Sequence, residues 1–480
     1  MIYFFKFSIV IFCCLLCLSD FKILENNKNS VALERRIFER SLGSDNDYIY
    51  ACGDPFLETK CKCHESILNC DSNGVQNLNI HVIEEDFTVK IANFKYNGIK
   101  VVRKKLILPG REYSVQSLDF QFNLISKIEN AAFDEFRKLE KLNLSNNNLT
   151  KIDENVLTES LGTTLIELNL NRNELQKINA LTFMNLKKLE FLGLSDNAAL
   201  MPFFNKNVFS KSLANLKKLD LSFCNISILD EDVFINLVNL EYLILYKNPF
   251  TTIPKAIKYL VNLRILDVSH SELKILNNET FAFNDKFEDL VAIDSDDLIT
   301  IGDCAFCNLP NLKRVELWVC PNLTNIHENA FGSISSGKLY SKLTDFGISG
   351  YICDCSMAWL INDLKRSDSI FSKKLKSLER PPKYRCEYPP ELKGKKLSEV
   401  SGKICNGKLS ELYHSSSTTS IFSFHWIFLI GIIFGIAILC YIYRNQILSY
   451  FYQKNTFQNE TDDEDKLYQY FNPEADTISM

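Results

Sequence analysis

The sequence predicts an α/β solenoid: a curved stack of short coils with parallel strands on its concave face, closed by disulfide caps and followed by one transmembrane helix. Three observations predict it. A leucine and asparagine pattern recurs about every 25 residues between positions 89 and 343, two groups of four cysteines bracket the recurrences, and an apolar run of 23 residues occupies 421–443.

The pattern is plainest at Leu139, Leu142, Leu144, Asn147 and Leu149, which read L-x-x-L-x-L-x-x-N-x-L. It recurs from Leu165, Leu189, Leu240 and Leu216, the last with Cys224 at the asparagine position, and from Val115 and Leu263. Weaker copies begin at Val89, Leu290, Leu312 and Leu343. This is the leucine-rich repeat period. In L-x-L two inward leucines alternate with an outward residue, which marks a short strand buried on one side. The asparagine side chain can bond backbone groups where the chain turns, so a column of them ties coil to coil. Phenylalanines after small residues (Phe133, Phe183, Phe234, Phe306, Phe331) belong inside each coil, away from the strands. No coil can bury its leucines alone; stacking makes the core continuous.

The ends of such a stack must be covered. Cys52, Cys61, Cys63 and Cys70 stand before the repeats, and Cys353, Cys355, Cys386 and Cys405 after them, with Trp359 and Leu360 just beyond the Cys353/Cys355 pair. Here the chain resembles the extracellular leucine-rich repeat superfamily, the group of Toll, Slit and neuronal leucine-rich adhesion ectodomains, over about residues 52–405. Spacing alone allows three connectivities per cap. The resemblance implies Cys52 with Cys63, Cys61 with Cys70, Cys353 with Cys386, and Cys355 with Cys405. The front cap departs from the family in its longer first spacing and its missing proline. Cys224 and Cys320 read as buried thiols. Cys304 and Cys307 read as a local bridge or two separate thiols, since no second pair or histidine partner accompanies them.

Composition agrees with an exported chain. It is 46% hydrophobic and 24% charged with only 17 glycines, which excludes global disorder and a collagen-like fold. The net charge of −5 is small for 480 residues, so no overall field draws the chain to nucleic acid. Lys6 followed by apolar Phe7–Leu18, with small residues Cys17 and Ser19, has the form of a secretory signal. The run 421–443 is long enough to span a bilayer, and Arg444 and Lys454 follow it while 415–420 carries no charge. The expected order is a signal peptide at 1–19, an amino-terminal extension at 20–51, a cap at 52–88 and repeats at 89–352. A second cap at 353–405, a linker at 406–420, the membrane helix at 421–443 and a cytoplasmic tail at 444–480 complete it. The predicted location is the plasma membrane, type I, with the amino terminus extracellular.

Residues between and beside the strand leucines are expected on the concave face, among them Glu190, Lys217, Glu241, Arg264, Asp294, Asp296 and Asp297. Acids and bases alternate there, without the basic stripe a nucleic-acid reader needs. Phe191, Phe223, Tyr242, Tyr246 and Lys247 are the expected protein-binding residues, because exposed aromatics on a rigid face anchor interfaces. Glycan acceptor triplets occur at Asn143, Asn148, Asn225, Asn278 and Asn322. In the tail, Tyr468 and Phe471 form a tyrosine-x-x-hydrophobic motif, and Ile478 and Met480 close a carboxy-terminal signal that a PDZ groove can take by strand addition, so a cytoplasmic adaptor is an expected partner.

No nucleophile–histidine–acid signature, metal motif or phosphate loop is present, and the chain has only six histidines. The sequence therefore predicts no catalytic residue, no metal and no cofactor. It predicts a cell-surface receptor or adhesion molecule for an extracellular or cell-surface protein ligand; the alternative is a non-catalytic regulatory or scaffolding subunit of a membrane complex.

Overall fold

The computed structural model describes residues 49–52, 59–179, 181–200, 203–204, 208–332, 342–348, 351–363 and 385–405. The expected signal peptide, membrane helix and tail lie outside them. Among the described residues no helix is long and apolar enough to cross a membrane.

One sheet of 13 strands runs through the stack, in the order of the sequence. Its first two strands, β1 (Lys62–His64) and β2 (Ile67–Asn69), are an antiparallel hairpin of the front cap. The remaining eleven are parallel: β3 (Ile91–Asn93), β4 (Ser117–Asp119), β5 (Lys141–Asn143), β6 (Glu167–Asn169), β7 (Phe191–Gly193) and β8 (Lys218–Asp220). Then come β9 (Tyr242–Ile244), β10 (Ile265–Asp267), β11 (Asp289–Val291), β12 (Arg314–Leu317) and β13 (Asp345–Ile348). The middle residue of each pairs with its counterpart, so Leu142, Leu168, Leu192, Leu219, Leu243, Leu266 and Leu290 form one buried row.

Ten of the eleven sequence starts lie two residues before a strand. The exception is the coil assigned to Leu290, which begins at Phe287. Phe287 fills the first leucine position, 1% exposed, and Leu290 is the central strand residue. Asp296 and Asp297, expected on the concave face, therefore lie beyond the turn, and Asp289 and Val291 stand on the sheet face.

The asparagine column works from both ends of its amide. Asn147 Nδ2 donates to Phe120 O of the preceding coil and Leu144 O of its own, each at 3.0 Å, while its Oδ1 accepts the Ile125 N–H at 2.9 Å. Asn123, Asn173, Asn197 and Asn248 repeat these bonds. Cys224 occupies the same column, its thiol 3.2 Å from Leu194 O and Ser222 O. Opposite the sheet the buried phenylalanines stack, with ring centroids 6.0 Å apart for Phe209 and Phe234 and 4.9 Å for Phe306 and Phe331. A second amide ladder, not anticipated from the sequence, bonds successive coils there: Asn185 to Leu157 O, Asn215 to Lys187 O, Asn236 to Phe209 O and Asn308 to Phe281 O. Short helical turns such as Glu159–Gly162, Lys211–Asn215 and Lys255–Tyr259 complete this side.

Disulfides join Cys52 to Cys63 and Cys61 to Cys70 in front, and Cys353 to Cys386 and Cys355 to Cys405 behind. Cys304 and Cys307 are also bridged. In the rear cap, Trp359 Nε1 donates to Ile326 O at 2.9 Å, tying the cap to the repeats. Asn362 Oδ1 accepts the Gly402 and Ile404 N–H groups, and its Nδ2 donates to Ile404 O.

Candidate protein-binding face

Strand register sorts the outward side chains into columns. The first contains Phe191, Lys218, Tyr242, Ile265, Asp289 and Arg314, and the second Gly193, Asp220, Ile244, Asp267, Val291 and Glu316. Neighbours in a column stand ~4.8 Å apart. Phe191 and Tyr242 are half-buried, with Lys218 between them in register and its Nζ 5.6 Å from the Phe191 centroid.

A third column lies past the strand ends, where the chain turns before the asparagine position. Phe223, Lys247, His270 and Asp294 occupy it with φ of +53° to +56°. That left-handed backbone aims each N–H at the following coil: Phe223 N–H donates to Tyr246 O at 2.9 Å and Lys247 N–H to Ser269 O at 2.8 Å. The conformation is costly for residues with a Cβ, and continuation of the ladder offsets it. Lys247 Nζ sits 4.6 Å from the Phe223 ring centroid, a cation–π contact.

Tyr246 differs from expectation. It stands one residue before this column, where other coils carry Ser145, Ser195, Ser222 or Ser269, and it is only 6% exposed. Its ring lies 5.2 Å from Phe223 and 4.8 Å from His270, edge-on to the latter. The aromatics expected to make one patch are therefore two rows. Phe191 and Tyr242 lie at the strand starts; Phe223 and Tyr246 lie past the strand ends, with Asp220, Ile244 and Asp267 between. Trp318 lies over the last strand, where a Cβ on Gly347 would come within 2.3 Å of its ring.

Glu190, Lys217, Glu241 and Arg264 form an edge rather than the centre of the face. They line a groove of about 440 Å³ with Asn215, Asn239, Asn262 and Lys286. Their charges alternate: Lys217 meets Glu190 at 2.9 Å, Arg264 meets Glu241 at 3.4 Å and Glu288 at 3.1 Å, and Lys313 meets Glu288 at 3.1 Å. Exposed pairs of this kind are screened by solvent and contribute little to stability. Their effect is to neutralise the edge.

Asn143 lies in the sheet, at the end of β5. It is 7% exposed, and its amide oxygen accepts the Ser145 N–H at 3.0 Å and the Ser145 hydroxyl at 2.7 Å. It is flanked by Asp119 and Asn169 on the sheet. Asn148, Asn225, Asn278 and Asn322 are exposed.

The centre of the face is acidic. Burial pushes the Asp267 carboxyl up to about 6, with Asp220 adding to the effect. Glu316 is also raised, first by burial, then by Asp345, Asp289 and Asp267 against the opposing pull of Arg314. A folded-state value raised from 3.8 to about 6 means that the native protein holds this proton more tightly than the unfolded chain. Stability from this group is present below pH 4 and is lost as pH rises through 6. Asp267→Asn should remove that slope and raise the melting temperature at pH 7.4 by roughly 2 °C. The amide keeps the Ser269 N–H bond, as Asn93 and Asn169 do for Lys95 and Asn171 at the same position. Melting curves at pH 4 and pH 7.4 check it; equal melting of variant and wild type at pH 7.4 would refute it.

Catalytic chemistry finds no footing in the buried thiols. Burial pushes Cys320 up to about 11 and Cys224 higher still, so neither supplies a thiolate at neutral pH. Among the described residues no group of three or more histidines, cysteines or acids could hold a metal ion.

The leucine-rich repeat family model matches residues 114–160 and 214–273. The described stack is a leucine-rich repeat solenoid. It resembles the extracellular leucine-rich repeat superfamily. Human leucine-rich repeat-containing protein 66 is 29% identical over 45% of this chain and 23% of its own length, and bovine Toll-like receptor 4 is 30% identical over 42% and 26%. The chain thus spans about a quarter of the length of these relatives. A chain in the octameric complex of latrophilin 3, Unc5D and FLRT2 superposes with a TM-score of 0.51 at 18% identity, covering 72% of this chain and 99% of that one. The likeness is one of fold.

Proposed function

We propose that this protein is a cell-surface receptor or adhesion molecule that binds an extracellular or cell-surface protein on the sheet face of β7–β12 and has no catalytic activity. The observation that carries the reading is the character of that face: rigid, one strand per coil, with Phe191 and Tyr242 half-buried around Lys218. Large aromatics held on a rigid face are the usual anchors of protein interfaces. The receptor named among the relatives and the protein complex among the structural neighbours support a binding role. The proposal includes the domain boundaries, type I topology and tail motifs read from the sequence, and glycans on Asn148, Asn225, Asn278 and Asn322.

Phe191→Ala/Tyr242→Ala is expected to lower partner binding by about 2 kcal/mol or more while the fold is kept, because neither residue belongs to the leucine row. Proximity labelling of the full chain on intact cells, wild type against this double variant, tests it. Unchanged labelling of the same neighbours by a normally displayed variant would place the contact elsewhere.

A further inference from the structure

We infer that the partner of this face is a cationic protein segment, whose lysine or arginine side chains reach Asp267 and Glu316 while its apolar groups rest on Ile244 and Val291. The inference rests on the protein-binding reading above and narrows its partner.

Along the second column the register is Asp220, Ile244, Asp267, Val291, Glu316. Carboxylates thus recur on every second strand, ~9.6 Å apart. The aliphatic residues between them are nearly flush with the floor, at 7% exposure for Ile244 and 8% for Val291. An anionic site alternating with an apolar step defines the chemistry of what fits it.

Neither Asp267 nor Glu316 forms an ion pair among the described residues. Asp267 is held by Ser269, whose N–H donates to it at 2.9 Å. Glu316 forms no side-chain hydrogen bond among the described residues, and Arg314 pulls on it only through space. Arg314, the nearest cation in sequence, is committed to Asp289 through two bonds of 2.9 and 2.6 Å. Each of the other acids near the floor adds repulsion: Asp220 toward Asp267, and Asp289 and Asp345 toward Glu316. Carboxylates in a partly desolvated site whose nearest cation is bonded elsewhere are poorly compensated in the free protein. An arriving cation relieves that cost, whereas an anionic segment adds to it. A second copy of this chain presenting the same face would oppose acid to acid.

The spacing suits a helix. Residues seven apart on a helix lie ~10.5 Å apart along the axis, close to the ~9.6 Å between the acids, while same-face residues of an extended strand recur at ~6.7 Å. The probe is therefore a peptide of about 22 alanines and leucines with lysine at every seventh position, paired with a counterpart bearing glutamate instead. Fluorescence anisotropy with the purified full-length chain, at about 0.15 M salt, reads binding. The lysine peptide should bind and the glutamate peptide should not. Asp267→Asn/Glu316→Gln should weaken the lysine peptide about tenfold or more. Glu84→Gln/Glu85→Gln, which removes the same charge from exposed positions near the front cap, should leave it unchanged. Equal loss from both double variants, equal binding of both peptides, or no binding of the lysine peptide would overturn the inference. The two readings fail separately. If Phe191→Ala/Tyr242→Ala abolishes labelling of the native partner while Asp267→Asn/Glu316→Gln leaves it intact, the face stands and its cationic partner falls. If the aromatic variant leaves labelling intact, the face itself falls.

Discussion

Cys355→Ala is expected to destabilise the rear cap by roughly 4 kcal/mol, the stabilisation expected of a bridge closing a loop of this length. Cys355 and Cys405 are 50 residues apart in sequence with Cα atoms 5.5 Å apart. Their bridge holds the segment that carries Leu397, Val400 and Ile404, all buried, against Leu360 and Ile361 of the cap helix Ala358–Asp363. The Asn362 bonds to Gly402 and Ile404 run parallel to the bridge, but side-chain bonds of this kind contribute about 1 kcal/mol each. Once the segment detaches, the apolar end of the stack meets water and the last coils lose their cover. Limited proteolysis should cut the variant within 385–405 under conditions where wild type is intact, and delivery of the full chain to the cell surface should fall several-fold. Cys224→Ser is the control: it removes no bridge, and its hydroxyl can still donate toward Leu194 O. Wild-type protease resistance in Cys355→Ala would show that the cap does not depend on this bridge.

The stack was legible in the sequence because its determinants repeat. One leucine position decides little, but ten starts two residues before ten strands leave one register available. Legibility failed where the repeat broke. Phe287 does the work of leucine at the head of its coil, so Leu290 was read three residues out of phase, and the acids after it were placed on the wrong surface. The left-handed column was invisible for a different reason. Positive φ is usually signalled by glycine, yet Tyr96, Phe122, Arg172, Phe223 and Lys247 hold it here, each with its N–H in the ladder bond to the following coil. The binding face was half legible. Alternation identified Phe191 and Tyr242 as outward residues, but it carries no information about what a neighbouring coil places over a side chain. That is a property of the stack, and it is why Tyr246, read as exposed, is buried.

Tyr246→Ala is expected to cost about 3 kcal/mol of stability, in the range for emptying a buried aromatic site, although the alternation of its strand reads it as a surface residue. The ring is enclosed by the Phe223 ring of one neighbouring coil and the His270 ring of the other. It bridges coils at a position where Ser222 and Ser269 carry only a hydroxymethyl group. Neither neighbour can fill the space: Phe223 is fixed by its own left-handed backbone, and His270 is drawn the other way by Asp294, 3.1 Å from its Nδ1. Truncation therefore leaves a void between coils and loosens the row that positions Lys247. Tyr242→Ala, at the strand start and half-exposed, should cost less than about 1 kcal/mol. Denaturant unfolding of the two single variants separates them, and the difference decides how any binding loss is read: loss in Tyr242→Ala reports a contact, whereas loss in Tyr246→Ala reports a loosened stack. Equal unfolding midpoints for wild type and Tyr246→Ala would mean that the ring supports nothing, and would return Tyr246 to the surface that meets the partner.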